Sequence, residues 1–114
     1  MLEKLFGSKT AERVMMFMYA YKEGYAKQIS DNFDISVSMV QKQLDKFENA
    51  GFFVSFDMGN IRLYKWNKRN PFIKEIKQLL EKAFYYLPEE KKDKYYRKRK
   101  RPRKKNKRLN EEKE

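Results

Sequence analysis

The sequence predicts a small, mainly α-helical domain that contains a single β-hairpin and is followed by a basic C-terminal tail. Three observations support this fold class. Apolar residues recur with a helical period through the first half of the chain. After Gly51 the period shortens to that of β-strands, and a last helical stripe follows it. Beyond Pro88 the apolar residues nearly disappear, which indicates where the folded part ends.

The first long helix is expected to begin after Ser8, a favourable N-cap residue, and to end at Gly24. Its buried stripe has the spacing i, i+3, i+4, i+7 and consists of Val14, Phe17, Met18 and Tyr21. A short second helix is predicted over residues 26–32. Asp34 and Ile35 then form a brief connection.

The third helix is predicted over residues 37–50, with Ser36 as its N-cap. Its apolar residues Val40, Leu44 and Phe47 form one narrow buried edge, so most of its surface is polar. Gly51 follows at the position where a left-handed residue ends a helix.

Two strands are predicted over residues 52–56 and 61–66, because both segments are rich in aromatic and β-branched residues. Residues 57–60 between them are typical of a hairpin turn. Asn70 and Pro71 then predict the start of the final helix, with Asn as the cap and Pro in the first turn.

Residues 89–114 contain 14 Lys/Arg against 6 Asp/Glu, so they carry +8 of the formal net charge of +12. With Tyr95, Tyr96 and Leu109 as their apolar or aromatic residues, they cannot bury enough surface to fold alone. A helix is possible at their start, but Pro102 would interrupt it. We therefore expect a folded domain over residues 1–88 and a disordered or partly helical tail over residues 89–114.

The composition also excludes several function classes. The chain has no Cys and no His, which removes disulfides, the usual zinc, haem and iron-sulfur sites and the common nucleophile pairs. The carboxylates are dispersed and there is no Gly-rich phosphate loop, so we expect neither an enzyme nor a cofactor. The longest apolar run, residues 14–20, is too short to span a bilayer, and no signal sequence is visible. A soluble cytoplasmic protein, associated with the nucleoid when bound to DNA, is expected.

The strong excess of positive charge favours a polyanionic partner, either a nucleic acid or an anionic membrane surface, because neutralised phosphates release counterions. The order helix, short helix, turn, helix, hairpin, helix is that of a winged helix. This order of elements favours a nucleic acid over a membrane surface as the partner.

The run from Ile29 to Phe52 resembles the helix-turn-helix of the ArsR/MarR-type regulators. In those families a Ser caps the recognition helix, a Val and a Leu four residues apart form its buried edge, and an Ala-Gly-apolar sequence leads into the wing. The resemblance extends over roughly residues 5–85 and includes the wing pattern at 59–64. Asp34 replaces the usual Gly, although Asp tolerates a tight turn. The Cys and His ligands of the metal-sensing members have no counterpart, so metal sensing is not expected.

The resemblance implies a sequence-specific double-stranded DNA-binding protein, with helix 37–50 in the major groove and the wing, residues 53–66, on the backbone. At 100° per residue, Ser38, Lys42, Asp45 and Asn49 lie opposite the core. The expected DNA contacts of the helix and wing are Ser36, Ser38, Met39, Gln41, Lys42, Lys46, Asn60 and Arg62. Of these, Gln41 and Lys42 would reach purine edges and Lys46 a phosphate.

The tail is interpreted as an arm that follows phosphates without reading sequence, and its alternative is a solvated tail that only improves solubility. Its expected DNA contacts are Arg97, Lys98, Arg99, Lys100, Arg101, Arg103, Lys104 and Lys105.

The last helix has more apolar surface than the wing needs for cover, and in regulators of this type the terminal helices pair across a two-fold axis. We therefore expect a homodimer, and repression rather than activation. Its expected interface residues are Phe72, Ile76, Leu80 and Phe84. The alternatives for this face are packing within the monomer and binding of a different partner. The alternative functions are a non-sequence-specific architectural DNA-binding or RNA-binding protein and a winged-helix module that binds another protein.

Overall fold

The computed structural model describes residues 1–97 of the 114-residue chain. It consists of helices and a small antiparallel sheet built around helix α2, which packs against α4 and α5. Within these residues no helix is both long and apolar enough to cross a lipid bilayer. The elements in chain order are α1 (Glu3–Phe6), α2 (Lys9–Tyr21), β1 (Glu23–Gly24), α3 (Ala26–Phe33), α4 (Val37–Asn49), β2 (Phe53–Met58), β3 (Ile61–Trp66), α5 (Ile73–Tyr85), α6 (Glu89–Lys91) and one π-helical turn (Lys92–Tyr96).

Helix α2 begins as predicted, because the Ser8 hydroxyl accepts a hydrogen bond of 3.0 Å from the Ala11 amide. It ends earlier than predicted, at Tyr21, and Lys22 follows in the left-handed conformation with φ of 74°. Gly24 does not end the helix but lies in β1. A Cβ at this position would stand 2.7 Å from Phe17 Cε1, so close packing is the reason for glycine here.

The helix-turn-helix of α3 and α4 forms as the sequence predicts. Asp34 adopts the left-handed conformation with φ of 56° in the turn, a conformation in which Asp is one of the tolerated residues. The Ser36 hydroxyl caps α4 by accepting from the Met39 amide. The predicted edge of α4, which is Val40, Leu44 and Phe47, is buried.

The sheet has the strand order β1-β3-β2, with both neighbouring pairs antiparallel. The hairpin turn is shorter than predicted, because Asp57 and Met58 continue β2 and only Gly59 and Asn60 form the turn. Gly59 has a positive φ of 63°, which allows a two-residue connection. Strand β1 was not predicted, since two residues are too few to show a strand period.

Helix α5 begins at Ile73, two residues after the start that Asn70 and Pro71 predicted. The Asn70 carboxamide oxygen accepts from the Phe72 amide at 2.8 Å, and its nitrogen donates to the Gly51 carbonyl oxygen at 2.9 Å. Asn70 therefore forms a side-chain turn ahead of the helix and ties it to the end of α4.

The folded part extends beyond the boundary predicted at residue 88, as far as Tyr96. The Tyr95 carbonyl oxygen accepts hydrogen bonds from Tyr21 Oη at 3.3 Å and from Asn32 Nδ2 at 2.9 Å. Tyr96 is only 9% exposed and packs beside Phe33, with ring centroids 5.7 Å apart. The segment that follows Pro88 is therefore held by α2 and α3.

Candidate nucleic-acid interface

The polar face of α4 is exposed where the helical rotation predicted it. Ser38, Lys42, Asp45 and Asn49 are all exposed, and Met39 on the flank is about half exposed. Among them the Lys42 side chain makes no hydrogen bond or ion pair with any other residue of the range 1–97. Its ammonium group is therefore available to an external acceptor.

Two hydroxyls lie at the N-terminus of α4. Ser36 Oγ is 2.7 Å from Ser38 Oγ and also caps the helix, so the pair is held in one arrangement. The first amides of a helix have no partner within it and carry its partial positive charge. This end of α4 is suited to an anionic oxygen.

Gln41 is bound within the protein. Its side-chain nitrogen donates to Asp45 Oδ1 at 2.9 Å and to the hydroxyl of Tyr64 in β3 at 2.8 Å, and that hydroxyl donates to Asp45 Oδ1 at 3.2 Å. Burial raises the pKa of Tyr64. Since both amide donors of Gln41 are used, the predicted purine contact through them is not supported by this geometry. Its role here is to join α4 to the wing.

Lys46 also has an internal partner, which differs from its predicted role at a phosphate. Its ammonium group donates to the Phe6 carbonyl oxygen at 2.7 Å and lies 4.9 Å from the centroid of the Phe47 ring. Lys46 thus links α4 to the C-terminal end of α1, where a cation is favourable.

At the wing, Asn60 is exposed in the hairpin turn. Arg62 is paired directly across the hairpin with Asp57, at 2.6 Å between Nη1 and Oδ1. The hydrogen bond to Asp57 raises the pKa of Arg62. The one predicted cation of the wing is therefore partly neutralised.

Arg97 is the last described residue and makes two ion pairs, with Asp93 at 2.6 Å and with Glu89 at 3.1 Å. It lines a groove of about 680 Å³ together with Met58 and Ile61, which flank the wing turn. Arg97 therefore borders the same groove as the residues that flank the wing turn. Lys98, Arg99, Lys100, Arg101, Arg103, Lys104 and Lys105 lie outside the described residues.

The four residues expected at a dimer interface differ in their exposure to solvent. Phe72 is 64% exposed, whereas Leu80 is fully buried in the core of the monomer and cannot form such an interface. Ile76 and Phe84 are half-buried. Sequence analysis missed the exposed pair Tyr85 and Tyr86 at the end of α5. Phe84, Tyr85 and Tyr86 form a run of three aromatic residues, of which the predicted interface included only Phe84.

A helix-turn-helix followed by a two-stranded wing and a further helix defines the winged-helix fold. The structure is similar to that of ZitR from Lactococcus lactis. With an apo double mutant of ZitR the identity is 22%, the match covers 74% of this chain and 72% of that chain, and the TM-score is 0.51. With a single mutant the identity is 15%, the coverage 75% and 66%, and the TM-score 0.50.

At these identities the similarity shows the fold. Neither a protein-family model nor a curated protein matches the sequence. Within residues 1–97, no three acidic side chains are arranged to hold a metal ion.

Proposed function

We propose that the protein is a sequence-specific double-stranded DNA-binding regulator of the ArsR/MarR type, with α4 in the major groove and the wing on the backbone. One observation carries this proposal: on a winged helix, the face of α4 opposite the core is exposed and includes the unpaired cation Lys42. A helix presented in this way fits the width of the major groove.

In this proposal the expected contacts of α4 and the wing fall into three groups. Ser36, Ser38, Met39 and Lys42 are exposed and suited to direct contact with DNA. Gln41 holds the wing against α4 and acts by positioning the helix. In this proposal Lys46 and Arg62 contribute less, because each already has a protein partner.

The basic tail supplies most of the electrostatic attraction in this proposal. Residues 1–97 contain 18 Lys/Arg against 13 Asp/Glu, a net of +5, and residues 98–114 contain 10 against 3, a net of +7. The exit of the chain at Arg97, beside the wing, supports an arm that follows the adjacent phosphates.

We further propose a cytoplasmic homodimer that acts as a repressor, with Phe72, Ile76 and Phe84 at its interface. The exposed Phe72 and the half-buried Ile76 and Phe84 support this interface. Two subunits would then read two half-sites of a near-palindromic operator.

The decisive experiment is selection of bound duplexes from a random pool with the full chain. One duplex should bind at least about a thousandfold more tightly than random duplex at physiological salt. Lys42→Ala should reduce that discrimination about tenfold or more. The exposed Lys82, on the far end of α5, gives the matched control Lys82→Ala, which should leave it unchanged.

Equal affinity for all duplexes would contradict the regulator proposal and leave an architectural DNA-binding protein. A preference for RNA over duplex DNA would move the protein to the RNA-binding class.

A further inference from the structure

The wing sheet has one face towards α4 and one face away from it. Ser55 and Tyr64 are register partners on the first face, where they bond to Glu48 and Gln41 of α4. Side chains alternate along a strand, so Val54 and Phe56 lie on the opposite face. Phe56 is 50% exposed there. This outer face of the wing is apolar and is not used in the proposed DNA contact.

A groove of about 740 Å³ lies on this outer face, with Val54 and Phe56 among its lining residues. The charged residues that line it are mostly cations from four separate parts of the chain. They are Lys22, Lys65, Lys68, Arg69 and Lys77, against the single carboxylate of Glu23.

Two of these cations have partners, and three do not. Lys65 lies 3.6 Å from Glu23, and Lys77 lies over the Trp66 ring at 5.4 Å from its centroid. The remaining three make no ion pair within residues 1–97, and all are exposed: Lys22, Lys68 and Arg69. The groove therefore combines an apolar floor with uncompensated positive charge.

We propose that this groove binds an acidic peptide segment of a partner protein, one that carries apolar side chains between its carboxylates. The carboxylates would pair with the three free cations, and an apolar side chain would cover Val54 and Phe56. Charge complementarity with such a segment would favour encounter and orientation, and burial on Phe56 would add affinity.

The same features argue against a nucleic acid in this groove. The groove lies on the side of the sheet away from α4, so it is separate from the helix face that is proposed to enter the major groove. A sugar-phosphate backbone offers only its sugar C–H groups to Phe56, between closely spaced phosphates, and no apolar side chain to cover it. Single-stranded nucleic acids are held by successive stacked aromatics, whereas the other aromatic lining residue, Trp66, is only 5% exposed.

The test measures binding of a short fluorescein-labelled peptide of alternating Glu and Leu to the full chain by anisotropy. The groove variant is Lys22→Gly/Lys68→Ala/Arg69→Ala, in which Lys22→Gly suits the left-handed backbone at that position. The matched control, Lys4→Ala/Lys82→Ala/Lys91→Ala, removes the same charge from exposed positions elsewhere. We expect the groove variant to bind about tenfold more weakly than the control variant.

A second pair of measurements tests the apolar floor. A peptide of alternating Glu and Ser should bind the unmodified chain more weakly than the Glu-Leu peptide, and Phe56→Thr should abolish that difference. Equal weakening by both triple variants, or equal binding of both peptides, would overturn the proposal. So would a larger loss of single-stranded oligonucleotide binding than of peptide binding in the groove variant. Selection of duplexes with the groove variant should still recover the same preferred sequence, which separates this result from the proposed function.

Discussion

Two truncations test whether the segment after Pro88 belongs to the fold. Ending the chain after Arg97 removes only residues 98–114, whereas ending it after Pro88 also removes α6 and the π-helical turn. The two variants differ by nine residues that carry 4 Lys/Arg and 3 Asp/Glu, so they have nearly the same net charge. A difference in stability between them therefore reports packing.

The expected magnitude follows from the contacts that are lost. Tyr96 is 9% exposed, and removal of a buried aromatic side chain costs about 3–5 kcal/mol. The hydrogen bonds from Tyr21 and Asn32 to the Tyr95 carbonyl oxygen contribute about 1 kcal/mol each, and water replaces part of this. The shorter chain has fewer residues to order on folding, and this smaller entropy cost offsets another part of the lost stability. We expect the shorter chain to lose about 4 kcal/mol of the free energy of unfolding.

Urea denaturation followed by tryptophan fluorescence measures this loss. Trp66, the single tryptophan, is 5% exposed and donates to the Met18 carbonyl oxygen, so its emission reports the core. A loss of about 4 kcal/mol lowers the midpoint by about 2 M urea, given slopes of ~1–3 kcal/mol/M. The chain that ends after Arg97 should keep the midpoint of the full chain. Equal midpoints for the two truncations would refute this account of the C-terminal segment.

Three further predictions follow from single residues. Asp57→Asn releases Arg62 from its ion pair, so duplex binding should tighten a few-fold. The slope of log affinity against log salt should steepen by up to about one. An unchanged slope would show that Arg62 does not contact a phosphate. Burial raises the pKa of Tyr96 above its ordinary value of 10.0. The stability that this neutral phenol contributes is therefore present below about pH 10 and is lost as the pH rises further. Tyr96→Phe should unfold at a higher pH than the unmodified chain in an alkaline titration followed by circular dichroism. If both chains unfold at one pH, another group controls alkaline unfolding. Gly24→Ala should lower the free energy of unfolding by about 1–3 kcal/mol in urea, because its Cβ would press on Phe17; no loss would mean that the ring can move aside.

The order of the helices and the wing could be predicted from the sequence because their signals are local. Ser36 caps α4, Gly51 follows it with a positive φ, and Val40 and Leu44 mark its buried edge. Each signal depends on residues within a few positions of one another. Helical rotation alone then separates the exposed face of α4 from the buried one.

The partners of the exposed residues could not be predicted, because they lie far away along the chain. Gln41 bonds to Tyr64 and Lys46 to Phe6, and neither pairing leaves a periodic trace in the sequence. The C-terminal segment was missed for a different reason. Its average composition is that of a solvated tail, and Tyr95 and Tyr96, which pack on the core, were too few aromatic residues to predict that the segment folds.

The hydrogen bonds among Gln41, Asp45 and Tyr64 restrict how the target sequence of such a protein can be redesigned. A substitution at Gln41 would release the wing from α4, so any change in affinity could not be assigned to a contact with DNA. Ser38 and Lys42 have no such connection to β3 and can be randomised while the wing stays in place. A library for altered specificity is therefore best built on those two positions, with Gln41 varied only together with Asp45 and Tyr64.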